Sequence, residues 1–105
     1  MATYQIMSWH GIPVQVRAGG RRERSSIELP ARFRDAVDSA AMAARLTGTE
    51  DYLAGFNWGE TLERDGSPAE VAAAVAGELE AAYPMVDWRR TAQMLKEARA
   101  AGTEP

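Results

Sequence analysis

The chain contains no cysteine. Disulfides and thiolate metal centres are therefore excluded, and a reducing, cytoplasmic setting is expected. Histidine occurs once, at His10, and lysine once, at Lys96. A single histidine without cysteine leaves only carboxylates as metal ligands, so no metal and no other cofactor is expected. No apolar run approaches the roughly 20 residues that cross a bilayer, and no membrane association is expected. Met1-Ala2-Thr3 opens directly into an alternating pattern without a basic or apolar leader, so no signal peptide is expected.

Signatures of catalysis are also scarce. Ser8 and His10 lie two apart, with Asp35, Asp38 and Asp51 elsewhere, but no Gly-x-Ser-x-Gly elbow accompanies them. Gly19-Gly20-Arg21-Arg22 lacks the lysine–serine pair and the immediate helix of a phosphate loop. Glu60, Glu63 and Asp65 run into an Arg-Asp-Gly turn, which reads as solvated, and EF-hand spacing is missing.

What is present describes a small domain. The 105 residues fit one domain over 1–105, with an ordered part of about 3–99 and a fraying tail at 100–105. Hydrophobic residues make up 46% of the chain, but many are alanine, so a modest core with closely approaching helices is expected. Charge is uneven. Residues 1–49 hold seven arginines against four acids, net +3, while residues 50–105 hold five bases against eleven acids, net −6. Such a dipolar chain can orient toward a charged partner.

Residues 3–9 and 12–18 alternate as two strands around a His10-Gly11 turn, with a weak third strand at 23–28. Pro30 and Gly48 bracket a helix whose apolar stripe is Phe33, Ala36, Val37, Ala40 and Ala44. Thr49-Glu50-Asp51 starts a short helix, and 55–63 reads as one strand with Phe56, Trp58, Glu60 and Leu62 on one face. Ser67-Pro68-Ala69-Glu70 is a capping box for a helix with Val71, Val75 and Leu79 inward, ended by Pro84. Asp87 starts a last helix with Trp88, Ala92 and Leu95 inward. The order β-β-(β)-α-β-α-α predicts an α+β fold, a small mainly antiparallel sheet with helices on one face.

Several segments carry a family resemblance. They are Ile12-Pro13-Val14-Gln15-Val16, Leu29-Pro30-Ala31-Arg32-Phe33, Ala40-Ala41-Met42-Ala43, 46–53 (Leu-Thr-Gly-Thr-Glu-Asp-Tyr-Leu) and Trp58-Gly59-Glu60. Together they resemble a small bacterial domain family labelled "virulence factor", over most of residues 3–83. The label names no chemistry. Larger members join a similar domain to an iron–sulfur scaffold domain and helical repeats, neither of which is expected in this chain. The resemblance also implies a gene neighbourhood, since stand-alone members are encoded near genes of folate- and corrinoid-linked methyl transfer. The resemblance implies an accessory or adaptor role and supplies no catalytic residues.

The expected function is a non-enzymatic adaptor or accessory subunit that binds a protein partner. One alternative is the small subunit of an enzyme system, such as folate- or corrinoid-linked methyl transfer. Another is an anion or nucleic-acid binder, against which stand the acidic pI of about 5.1 and the single lysine. The candidate partner-binding residues are Met7, Trp9, His10, Arg17, Arg21, Arg22, Arg24 and Met42. Alternation sets Met7 and Trp9 opposite Tyr4 and Ile6, so either the Trp9 side is the core, or a one-sided helix layer leaves Met7 and Trp9 exposed as an interface, with a homodimer as one form of it. Arginine forks at 17–24, with Arg32 and Arg34 nearby in sequence, suit carboxylates or phosphates. His10 in a turn reads as solvated, and Met42 sits amid a charged helix face.

Overall fold

The hairpin follows from its turn. In the computed structural model, which describes residues 2–20, 22–46 and 49–102, β1 (Ala2–Trp9) and β2 (Ile12–Gly19) pair antiparallel around His10-Gly11. Both turn residues have positive φ, 46° at His10 and 90° at Gly11. That combination is the mirror-image turn whose twist matches paired strands. β2 continues into β3 (Arg24–Glu28), and β1 also pairs with two short strands, β4 (Phe56–Trp58) and β5 (Leu62–Arg64). The sheet is thus antiparallel with order β3-β2-β1-β4, and β5 lies beside the other half of β1. With four helices the architecture is α+β.

Two register shifts shape this sheet. Met7 pairs with Gln15 but Ser8 pairs with Pro13, so Val14 is an extra residue in β2. Pro13, which has no N–H to donate, sits at this irregularity. On the other side of β1, Trp58 pairs with Met7 and Leu62 with Tyr4. Three residues, 59–61, therefore oppose the two residues Gln5 and Ile6. The expected single strand at 55–63 is divided there. Leu62 consequently faces the Tyr4 side, not the Trp58 side as strict alternation across 55–63 predicts.

The helices fall into two groups. α3 (Pro68–Ala82) lies across the Tyr4–Ile6 side. Its Val71, Ala72, Val75 and Ala76 pack with Val16, Ala18, Leu29 and Phe33. Arg32 donates to the carbonyls of Glu80 and Tyr83, both at 3.0 Å, and so satisfies the C-terminal end of α3. This arginine is structural. α1 (Ala31–Ala43), the short α2 (Thr49–Ala54) and α4 (Trp88–Gly102) close over the hairpin end instead. There Ala36, Val37, Ala40 and Ala41 of α1 and Ala92 of α4 meet Trp9, Ile12 and Val14. Alanines let these backbones approach closely, as the composition predicts.

Helix ends are set by local chemistry. At α3 the Ser67 hydroxyl accepts from the Glu70 N–H at 3.2 Å, and the Glu70 carboxylate accepts from the Ser67 N–H at 3.0 Å. These two hydrogen bonds hold the Glu70 pKa below the usual carboxylate range. Ser67→Ala is expected to lower stability by about 1 kcal/mol, read as a drop in the urea midpoint at unchanged slope; an unchanged midpoint would refute the box as a stabilising cap. The end of α1 differs from the sequence reading. The helix ends at Ala43, Arg45 just beyond it adopts φ 60°, and the Leu46 N–H bonds back to the Ala41 carbonyl at 2.8 Å. Gly48, the expected stop, lies outside the described residues. α4 starts as expected, with the Asp87 carboxylate accepting from the Arg90 N–H at 3.3 Å, and runs to Gly102, past the expected fraying point at 100.

Candidate functional site

The side of the sheet opposite α3 is covered by α1, α2 and α4 only at the hairpin end, around Trp9, and is uncovered beyond it. Alternation and pairing place Thr3, Gln5 and Met7 of β1, Gln15 and Arg17 of β2, and Trp58 of β4 on it. None of these six is buried. The other side, by contrast, presents Ala2, Val16 and Ala18 to α3, all at most 6% exposed. Two register shifts around Gln5–Ser8 keep the polar residues together, because each shift resets which residues share the face.

A rigid cluster lies at the centre of this face. Arg17 donates from Nε at 3.1 Å and from Nη2 at 2.7 Å to one acceptor, Gln5 Oε1. The Gln5 amide in turn donates to the Gly59 carbonyl at 2.9 Å. The Arg17 guanidinium carbon lies 3.8 Å from the Trp58 ring centroid, which places the cation on the negative face of the indole. A flat fork held by a neutral amide and stacked on an aromatic ring is preorganised, so little side-chain entropy remains to be lost on binding. At this sheet's edge, Arg22 and Arg24 are exposed, and Arg24 pairs with Gly19. Gly19 has φ 95°, and a Cβ there would stand 2.1 Å from the Glu23 carbonyl oxygen, so only glycine fits.

The expected site residues divide into three groups. Arg17 lies on the uncovered part of the face, with Arg22 and Arg24 beside it, while Met7, on the same side, is half-buried against the Trp9 cluster. His10 is exposed at the hairpin tip, its ring edge-on to Trp9 at 4.6 Å, and partial burial holds its pKa below the usual imidazole value. Met42 is 70% exposed on α1, a different element from the sheet face. Arg21 lies outside the described residues.

Trp9 requires a correction. It is fully buried, although alternation does place it with Met7, Phe56 and Trp58. The helices at the hairpin end enclose it: its indole N–H donates to the Tyr52 carbonyl at 2.9 Å, and the Tyr52 ring lies 6.1 Å away. Gly55 permits this closure, since a Cβ there would sit 2.4 Å from Trp9 Nε1. Trp9 is core and offers no exposed surface to a partner. Gln5, Gln15 and Trp58 join the site without being among the candidate binding residues that the sequence marks. Gln5 and Gln15 were readable from alternation. Trp58 was not, because its position beside Arg17 depends on a long-range pairing.

Residues 7–90 match the family described as virulence factor. The chain belongs to that family. The matched region holds most of the uncovered face, including Met7, Gln15, Arg17, Arg24 and Trp58, while Thr3 and Gln5 precede it. No curated protein and no solved structure matches the chain. No helix among the described residues is long and apolar enough to cross a membrane.

Proposed function

We propose that the chain is a non-enzymatic adaptor or accessory subunit that binds another protein through the uncovered sheet face and the arginine-rich edge beside it. The carrying observation is the Arg17–Gln5–Trp58 cluster, a preorganised cation on an aromatic platform at the centre of that face. Arginine and tryptophan are the side chains that most often dominate protein interfaces when they are held rigid. The +3 charge of residues 1–49 fits an acidic partner surface. The lack of cysteine supports a cytoplasmic setting.

The test compares capture from the native host. Arg22→Glu with Arg24→Glu should leave the free energy of unfolding within about 0.5 kcal/mol of wild type, since exposed charges contribute little to stability. Capture of the partner identified by mass spectrometry should fall, and the loss should be greater at low salt. Met85→Ala, at an 83% exposed position between α3 and α4, should capture as wild type does. Equal capture by the charge-reversed chain overturns the proposal.

A further inference from the structure

The uncovered face contains a recess where β1, β2 and β3 meet the segment before β5. It measures about 130 Å³, and its lining includes Thr3, Gln5, Arg17, Gly19, Arg24 and Thr61. Cofactor and drug-sized sites run to roughly 300–1,000 Å³, so this volume suits the tip of one side chain. Two of the lining residues are cations. Among the described residues neither Arg17 nor Arg24 pairs with a carboxylate; the ion pair found there is Arg64 with Glu78. Arg17 spends Nε and Nη2 on a neutral acceptor, and its Nη1 makes no hydrogen bond among the described residues. Gly19 contributes no side chain, so the space between the two guanidiniums stays open.

A half-buried guanidinium without a counter-charge bears a desolvation cost that an arriving anion offsets. This chain has more acids than bases, 15 against 12, yet places none against these two arginines among the described residues. We propose that the recess seats one carboxylate of the partner, an aspartate or glutamate side chain, between Arg17 and Arg24, with the Thr3 and Thr61 hydroxyls as further donors. The inference rests on the adaptor reading and specifies its recognition chemistry. A nucleic-acid backbone fits less well. Glu28, paired with Gln15, and Glu63, paired with Thr3, share this side of the sheet and repel a polyanion that extends beyond the recess. A single carboxylate occupies only the recess, whose lining includes neither acid.

The experiment titrates the isotope-labelled chain with blocked peptides, acetyl-Gly-Glu-Gly-amide and acetyl-Gly-Gln-Gly-amide, and separately with inorganic phosphate and oligothymidylate. Side-chain N–H signals of Gln5, Arg17, Arg24 and Trp58 are followed. The glutamate peptide should shift them saturably, and the glutamine peptide should not. Arg24→Gln should weaken glutamate-peptide binding roughly tenfold, the loss of one hydrogen-bonded charge contact, at an unchanged unfolding midpoint. Arg17→Lys keeps the charge but loses the planar fork, and should weaken binding as well. Equal shifts with both peptides, no shifts, tighter binding of phosphate or oligothymidylate, or wild-type binding by Arg24→Gln each overturn the assignment. Failure of the two readings is separable. Partner capture that is lost on charge reversal, without glutamate-induced shifts, removes the carboxylate seat and leaves the adaptor. Glutamate-induced shifts with capture unaffected by charge reversal remove the adaptor reading and leave an anion recess.

Discussion

Replacing Trp9 with alanine is expected to destabilise the domain by about 3–5 kcal/mol. The indole has no exposed surface, and it joins β1 to three helices. Ile12, Val14 and Val37 form its surroundings, and all three are at most 3% exposed. They sit on a hydrogen-bonded strand pair and a helix, so they can only partly collapse into the cavity. Small domains have roughly 5–15 kcal/mol in all, so the variant should be largely unfolded at modest urea. Trp9→Phe separates the contributions. It keeps most of the apolar bulk but removes the N–H, leaving the Tyr52 carbonyl without its donor, and should cost about 1–3 kcal/mol. A Trp9→Ala chain with a wild-type urea midpoint would show that the helices do not close over the hairpin end in solution.

Phe33→Ala should have an effect of similar size, about 3–5 kcal/mol, through the other cluster. Phe33 is fully buried where the first turn of α1 meets Val16, Ala18 and Val71, and its ring lies edge-on to Tyr83 at 6.0 Å. The adjacent Arg32 holds the end of α3, so a void at Phe33 also loosens the α1–α3 junction. Val86 packs against both clusters and is their common neighbour. The urea midpoint and slope decide the matter. A midpoint drop at unchanged slope is expected, whereas no drop would remove Phe33 from the core.

The residues that the sequence placed correctly are those governed by local rules. The His10-Gly11 turn, the Ser67 capping box, the Phe33–Val37–Ala40 stripe and the Asp87 start each depend on a few adjacent side chains. The errors come from non-local geometry. Trp9 alternates as expected, but its burial depends on α2 and α4, some 40 to 80 residues further along the chain. Leu62 changes sides because one extra residue enters between β4 and β5, and nothing in Gly59-Glu60-Thr61 announces that shift. Just past the end of α1, Arg45 is a non-glycine residue in the left-handed region, which composition does not reveal. The candidate site was legible in part for the same reason. Arg17 and Arg24 were found by charge, whereas the Gln5 bracket and the Trp58 platform required the paired sheet.

Site-specific photo-crosslinking in the native host shows whether the uncovered sheet face is the binding surface. A photoreactive side chain at Gln15, on the uncovered face, is compared with one at Met85, between α3 and α4, and one at Met42 on α1. A discrete adduct with a single partner is expected from position 15, displaced by excess unlabelled chain, and no such adduct from positions 85 or 42. Adducts confined to position 85 or 42, with none from 15, would contradict the uncovered face as that surface.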